Sequence, residues 1–385
     1  MANWSELHQD IVALIVKQLI DVEDIARFCC VCKPWNYVAI EQKKQCLNQG
    51  YTPWLMLTKR VNDNIEDKGR VRSCYSLSSK RLFNLELPEA QRRRCWGTPY
   101  GWLVTIGVDL NIHLLHPMTR EQISLPSQPT FPYQYKVHVP PKELCQYYIK
   151  NFALASNPSS WGINTSTTTP RTLESSSLVM AIYGEFRSLA IAYPGDQVWT
   201  SVQSPPKVPN DDIIFFNGHF YVISYDGVLL LCEDVNTTQP KTTLFASPPD
   251  DIDDIDRFYL VDLSGDLHLL ARHFEGIKLN EYHYETKWFF VYKFNFLTKK
   301  WTEVEDLGDH ALFVGNNTSF AISTSKFPEF KSSCIYFTDD HTEYYTKRFC
   351  DMGVYDTMEE TIEPFYVDND RLSRFSRSFF FMPTF

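Results

Sequence analysis

Turn signals at a nearly fixed interval constrain the fold of this 385-residue chain more than any other feature. In the stretch "IIFFNGHFYVISYDGVLLLC", residues 213–232, Asn217-Gly218 and Asp226-Gly227 separate three runs of β-branched and aromatic residues. Asn-Gly and Asp-Gly accept the positive φ of a type I′ turn, so the stretch predicts a three-stranded antiparallel meander. Similar turn dipeptides recur at Ser264-Gly265 and Asn316-Asn317, after intervals of 47 and 52 residues.

A short strand follows each meander and pairs an apolar residue with polar ones. Its six copies are "LFNLELP" (82–88), "REQISLP" (120–126), "DQVWTSV" (196–202), "KTTLFAS" (241–247), "KKWTEVE" (299–305) and "EETIEPF" (359–365). A strand-rich repeat of about 40 to 50 residues is typical of β-propeller blades. The six endings favour six blades, with seven as the alternative. A β-sandwich would explain the alternation of side chains but not their recurrence.

The first 50 residues have a helical period instead. In "LHQDIVALIVKQL", residues 7–19, Leu7, Ile11, Ile15 and Leu19 are four apart and therefore share one helix face, with Leu14 alongside. Asp21 and Asp24 predict the start of a second helix over about 23–30, and Pro34 suits the first turn of a third. Three short helices bury little by themselves and would gain stability from a partner.

This helical region resembles an F-box. The family pattern runs from an initial Leu through Ile/Leu pairs to a Val-Cys-Lys/Arg-x-Trp ending, which is matched here by Asp24-Ile25 and by Val31, Cys32, Lys33, Pro34 and Trp35. His8 stands where the pattern usually has Pro, which removes a fixed φ at the helix entrance and one apolar contact, while the apolar stripe behind it is complete. Downstream stretches such as "GWLVTI" (101–106) and "DMGVYDTMEETIEPF" (351–365) look like the kelch-like propeller domain of unknown function in many plant F-box proteins.

The resemblance implies an α+β multidomain chain whose domains have separate binding functions. Residues 1–50 would be a three-helix F-box, 51–370 an all-β propeller, and 371–385 a tail or closing strand. The F-box would bind a Skp-type adaptor, and through it a cullin, in a ubiquitin ligase, while the propeller would bind an unknown target protein. The candidate adaptor-binding residues are Leu7, Ile11, Ile15, Leu19, Ile25, Val31 and Trp35. An adaptor-independent scaffold and a propeller enzyme or carbohydrate binder are the alternatives.

The cysteines of "ARFCCVCKPWN", residues 26–36, indicate packing rather than chemistry. A structural zinc needs four ligands, and Cys29 with Cys32 supplies a single C-x-x-C pair. No nucleophile elbow, phosphate loop or H-E-x-x-H motif is present, so we expect no catalytic residues, metal or cofactor. Trp199 and Trp301 recur at matching points of the repeat, which favours packing between blades over ligand stacking.

Charge and cysteine usage bear on partners and location. A formal charge of -10 disfavours nucleic-acid binding, and we expect the basic run "QRRRCW" (91–96) and the spaced Arg371, Arg374 and Arg377 to be solvated surface. No 18-residue apolar run or export signal is seen, so we expect no membrane span. Ten scattered Cys without such a signal favour reduced thiols and a cytoplasmic or nuclear location, or both.

Overall fold

The structure, a computed structural model, describes most of the chain from the N-terminal helices to the last strand. The described residues are 7–19, 24–25, 28, 31–46, 52–57, 71–161, 177–205, 209–250, 252, 254–277, 283–340, 351–364 and 377–384. Asp21, Cys29, Cys30, Arg371 and Arg374 lie outside them, as do residues 162–176 of the Ser- and Thr-rich stretch. In the described part of the chain, no helix is long and apolar enough to cross a membrane.

Helices are few within these ranges. The α-helices are α1 (Gln9–Gln18), α2 (Lys33–Cys46) and α3 (Pro141–Tyr147), and short 3₁₀ turns occur at Pro88–Ala90, Gln128–Thr130 and Pro158–Ser160. Pro34 lies in the first turn of α2, where its missing N–H costs no helical hydrogen bond.

Strands make up most of the rest. In chain order they are β1 (Trp54–Met56), β2 (Val71–Ser76), β3 (Arg81–Glu86), β4 (Arg93–Gly97), β5 (Leu103–Gly107), β6 (Ile112–Leu115), β7 (Gln122–Leu125), β8 (Ile149–Leu154), β9 (Val179–Tyr183), β10 (Ser188–Ala192), β11 (Thr200–Val202), β12 (Asn210–Phe216) and β13 (His219–Ser224). They continue with β14 (Leu229–Glu233), β15 (Lys241–Ala246), β16 (Arg257–Leu263), β17 (Asp266–Ile277), β18 (His283–Asn295), β19 (Lys300–Glu303), β20 (His310–Val314), β21 (Phe320–Ser323), β22 (Cys334–Phe337), β23 (Gly353–Asp356), β24 (Thr361–Glu363) and β25 (Phe379–Phe381).

These strands assemble into six sheets, the blades of a propeller. Blades 2 to 5 each take four consecutive strands, from β4–β7 to β16–β19. Blade 6 has the order β21-β20-β22-β23-β24, with β20 and β22 parallel. Blade 1 joins both ends of the propeller, because β25 pairs antiparallel with β1 in the order β25-β1-β2-β3. The prediction of six blades is confirmed.

The apolar core lies between neighbouring blades rather than within one blade. Each of six buried clusters takes side chains from two adjacent blades, and together they run round the ring. Blade 1 shows the principle: Leu55 and Phe380 face blade 6, whereas Trp54, Phe379 and Phe381 face blade 2. Since successive side chains of a strand point to opposite faces, each blade contributes to two clusters.

The structure contains two of the predicted turns and all six of the predicted outer strands. Asn217 and Gly218 have φ of 46° and 83°, Ser264 and Gly265 have 54° and 86°, and antiparallel hairpins flank both pairs. All six predicted terminal strands form the outer edges of their blades, as β3, β7, β11, β15, β19 and β24. The inner strands are buried on both faces, as in β5 and β9, because each is sandwiched between two blades.

The turn expected at Asn316-Asn317 is different from the others. A hairpin does join β20 to β21, but neither Asn has a positive φ and both are buried. Residues 315–319 instead bridge several inner strands. Asn316 Nδ2 donates to the Cys95 carbonyl at 3.2 Å, and Thr318 Oγ1 donates to the Phe152 carbonyl at 2.9 Å. The segment therefore links blades 2 and 3 to blade 6.

The expectation of a solvated basic run at 91–96 is wrong for Arg94. Its side chain is 1% exposed, and its guanidinium donates to the carbonyls of Gln146 and Ile149, the latter at 2.9 Å. It also lies 4.2 Å above the Trp96 ring. Arg94 is buried because its guanidinium donates to backbone carbonyls at the start of blade 3. The number of charged residues in the sequence does not show that these carbonyls need a donor.

Packing between blades accounts for both recurrent tryptophans. Trp199, in blade 3, donates its indole N–H to the carbonyl of Pro126, directly after β7 of blade 2, at 2.8 Å. Trp301, in blade 5, donates to the carbonyl of Ser247, directly after β15 of blade 4, at 3.1 Å. The two contacts occupy the same place in the repeat, so the packing interpretation is confirmed.

Candidate functional site

The first candidate site is the surface of the N-terminal helices, which begin at His8. This residue is the N-cap of α1, where its side chain accepts a hydrogen bond from the Asp10 N–H. Its φ is -60°, close to the value that proline imposes. Asp10 in the first turn and Lys17 in the last complement the helix dipole. His8 thus keeps the backbone geometry that a proline would fix.

One side of α1 packs against the other helical residues. Val12 and Val16 form a small core with Phe28, Val38 and Ala39. The Trp35 ring, at the start of α2, stacks on the Phe28 ring with centroids 4.5 Å apart. Among the described residues of this region, these five buried side chains form one small cluster.

Large apolar side chains on the other side are open to solvent. Ile11 is 48% exposed and Leu14 62% exposed, and because they are three residues apart they lie on one helix face. Val31 and Tyr37, before and within α2, are 54% and 64% exposed. Leaving such groups in water is unfavourable, so these side chains are available for burial by another protein.

The structure divides the seven predicted adaptor-binding residues into three groups. Ile11 and Val31 are exposed, whereas Leu7, Ile15, Leu19 and Trp35 are partly buried against the helical core. Ile25 is 3% exposed and packs inside.

The sequence analysis placed Leu14 beside the apolar stripe but did not count it, or Tyr37, among the candidate adaptor-binding residues. The run "IVALIV" (11–16) is apolar on every side, so spacing alone could not distinguish the face with Val12 and Val16 from the face with Ile11 and Leu14.

The second candidate site is a chain of buried ion pairs inside blades 4 to 6. Asp211 accepts from Arg257 at 2.6 Å, Arg257 donates to Asp340 at 3.1 Å, and Arg272 bridges Asp340 at 3.4 Å and Asp351 at 2.9 Å. We call these five residues the inner ion-pair chain. Each carboxylate already accepts from a guanidinium, and no described His bonds to any of the five. The arrangement suits holding blades together better than acid–base chemistry.

Electrostatics around this chain follow from burial and pairing. Burial acts to raise the pKa of Asp340, but the cations Arg257, Lys150 and Arg272 outweigh it and hold that pKa well below its usual range. Burial lowers the pKa of Lys150 well below its usual value, and Arg257 adds to this effect. Asp212, which accepts from Asn151 Nδ2 at 2.6 Å and from the Leu260 N–H at 2.9 Å, has its pKa raised to about 7 by burial.

Metal binding finds no support among the described side chains. They contain no group of three or more His, Cys, Asp or Glu residues that could hold an ion. Cys32 is a free thiol, and Cys74, Cys145, Cys232 and Cys334 are free and buried. Burial raises the pKa of Cys74 and of Cys232 to about 12, which makes both thiols poor nucleophiles and poor ligands.

Comparison with known proteins gives plant F-box relatives. The chain is 26% identical to "F-box protein At2g17036" of Arabidopsis thaliana over 346 residues, covering 84% of this chain and 80% of the relative. It is 24% identical to "F-box protein SKIP23" of the same plant over 410 residues, covering 94% and 91%. The Pan2 WD40 domain of Neurospora crassa superposes with a TM-score of 0.31 at 7% identity, covering 65% of this chain and 71% of that domain. A score this low establishes no shared fold.

A protein-family model agrees with the ring of blades. The model described as "KIB1-4 beta-propeller" matches residues 74–356, which run from β2 in blade 1 to β23 in blade 6. The kelch-like detail of the sequence interpretation stays a prediction. Since the match spans well over half of the 385 residues, the chain belongs to the KIB1-4 beta-propeller family.

Proposed function

We propose that this protein is the substrate-receptor subunit of an SCF-type cullin–RING ubiquitin ligase. Its first 50 residues would form a three-helix F-box that binds a Skp-type adaptor and through it a cullin, and its propeller would bind the target protein without catalysing a reaction. The observation that carries the proposal is the set of exposed apolar side chains on the N-terminal helices, in a chain whose relatives are F-box proteins.

The energetic case rests on the exposed face of α1 and its neighbours. Covering Ile11, Leu14, Val31 and Tyr37 removes apolar surface from water at about 25 cal/mol per Å². Several hundred Å² would supply on the order of 10 kcal/mol before the costs of association. That is enough for stable docking if the adaptor presents a complementary apolar groove.

A pull-down with purified Skp-type adaptor tests the proposal. The double variant Ile11→Asp with Leu14→Asp places two charges on the exposed face of α1 and should abolish adaptor binding. Leu297→Asp is the matched control, because Leu297 is 97% exposed between β18 and β19 of the propeller, and it should bind normally. Failure of the intact protein to bind, or normal binding by the double variant, would overturn the proposal.

The scaffold alternative rests on His8, which departs from the F-box pattern. It predicts stable complexes with other proteins but no cullin association. The φ of -60° at His8 weakens this alternative, because the helix entrance has the same backbone geometry with or without proline.

We further propose a cytoplasmic or nuclear location, or both. The support is chemical: Cys32, Cys74, Cys145, Cys232 and Cys334 are free thiols, as expected of a reducing compartment. Cell fractionation with a fluorescent fusion checks it, and recovery in a secreted or vesicular fraction would contradict it.

A further inference from the structure

A groove lies between the outer parts of blades 5 and 6. It encloses about 300 Å³ and is lined on the blade 5 side by residues 287–291 and 303–305, and on the blade 6 side by Tyr355, Thr357 and Glu360. We call this the blade 5–6 groove. Its volume is at the small end for a ligand site and suits one long side chain better than a whole cofactor.

The groove exists because the outer strand of blade 5 is short. Strand β18 runs for 13 residues, but β19 pairs only with its residues 292–295. After Glu303 the chain follows β18 for one more contact, in which Val304 donates to the Val291 carbonyl at 2.8 Å. Beyond that point the outer edge of β18 is uncovered, and blade 6 forms the opposite wall.

The floor of the groove is apolar and firmly held. Phe289, Val291 and Tyr355 belong to the buried cluster shared by blades 5 and 6, and the Phe289 and Tyr355 rings are 5.4 Å apart. On the rim, Trp288 is 39% exposed and its indole stacks on the His273 ring at 4.1 Å. The Trp288 ring lies on the other face of β18 from Phe289 and Val291, because successive side chains of a strand point to opposite faces.

The rim is strongly acidic. Glu303, Glu305 and Glu360 line the groove and are exposed, and no described Lys or Arg forms an ion pair with any of them. Lys287, the groove's one lining cation, is already paired with Glu275 at 3.3 Å and Glu285 at 3.5 Å. The groove therefore carries excess negative charge above an apolar floor.

From this combination we propose that the blade 5–6 groove binds an Arg- or Lys-containing segment of another protein. One cationic side chain enters between β18 and blade 6, with its apolar stem on Phe289 and Val291 and its charge among Glu303, Glu305 and Glu360. That the segment belongs to a ubiquitination target rests on the function proposed above; the binding itself does not.

Fluorescence anisotropy of the full chain with a labelled, end-blocked eight-residue peptide of alternating Arg and Ser tests the inference. We expect saturable binding below about 1 mM that weakens as salt rises, since exposed charge pairs are screened. Glu303→Gln with Glu360→Gln should weaken binding about tenfold. The matched control is Glu121→Gln with Glu329→Gln, which removes the same charge from exposed positions elsewhere and should change binding less than twofold.

Each outcome decides the matter. Absence of saturable binding, or equal weakening in the groove variant and the control, overturns the inference, since equal weakening would indicate a diffuse effect of net charge. Thermal melting of every variant shows whether a loss reflects unfolding. Ile11→Asp with Leu14→Asp should leave peptide binding intact, so failure of the adaptor proposal and failure of the groove are separate results.

Discussion

Two buried aspartates show how differently one side-chain type behaves at two positions in this propeller. Asp340 lies between Arg257 and Arg272, which hold its pKa low, whereas at Asp212 burial outweighs the charge of Arg257 and the hydrogen bonds and raises the pKa to about 7. Folding therefore favours the ionised form of Asp340 and disfavours that of Asp212.

The pH dependence of stability should separate the two residues. The folded pKa of Asp212 lies above its unfolded value of 3.8, so its contribution is complete below pH 3.8 and is lost as pH rises through about 7. The stability of the wild type relative to Asp212→Asn should therefore rise by up to about 4 kcal/mol on going from pH 8 to pH 4. Urea unfolding at a series of pH values measures this difference.

Asp340→Asn is the control for that series. Its folded pKa is depressed, so its contribution is present above pH 3.8 and is lost only as pH falls below that value. Between pH 5 and 8 this variant should be about 3–5 kcal/mol less stable than the wild type, because two buried guanidinium groups lose a partner. A pH-independent difference for Asp212→Asn over the same range would contradict the assignment.

At the level of elements, the repeat places one tryptophan at the same junction in two blades. Trp199 is 2% exposed and stacks on Phe131 with centroids 4.6 Å apart, while Trp301 is partly buried and packs on Phe294 at 4.7 Å. The hydrogen-bonding role is shared, but the buried area is not.

Replacing each tryptophan with alanine should show that Trp199 buries more apolar surface than Trp301. Trp199→Ala should cost about 4 kcal/mol of unfolding free energy, and Trp301→Ala about 2 kcal/mol, because less apolar surface is lost at the second site. Chemical denaturation measures both against Phe186→Ala, whose side chain is 75% exposed and whose loss should cost less than about 0.5 kcal/mol. A loss below 1 kcal/mol at Trp199 would show that the indole does not join the blades.

Helix α1 shows where element-level prediction stops. Its existence and amphipathic character were predictable from residues 7–19, and the helix spans Gln9–Gln18. Which apolar residues face inward was not predictable, because six consecutive apolar residues fit two faces equally. Contact with Phe28, Val38 and Ala39 selects Val12 and Val16 as the buried pair.

For the whole molecule, closure of the ring brings inner strands from both ends of the propeller very close. Gly97 ends β4 in blade 2, and a Cβ atom there would lie 1.8 Å from the Phe380 carbonyl oxygen on β25 of blade 1. Since that neighbour is backbone, no side-chain rotation can relieve the overlap. Glycine is required at this position by space rather than by backbone conformation.

Gly97→Ala should therefore destabilise the propeller by about 3 kcal/mol, the upper part of the usual overpacking range. Gly276→Ala is the control, because Gly276 lies in β17 with no atom within 4 Å of its added Cβ, and its stability should change by less than about 0.5 kcal/mol. Differential scanning calorimetry compares the two. Equal melting temperatures would mean that β25 does not press against β4 in solution.

The sequence by itself determined the helical start, the strand repeat, the six outer strands and the Gly-containing turns, because each depends on residues close together in the chain. Only the tertiary structure decided the exposed face of α1, the burial of Arg94 and Asn316, and the blade 5–6 groove. Those features depend on partners that are distant in the sequence. A polar side chain is buried where the closed ring brings backbone carbonyls and opposite charges to it. The spacing of residues along the chain does not show where those partners are.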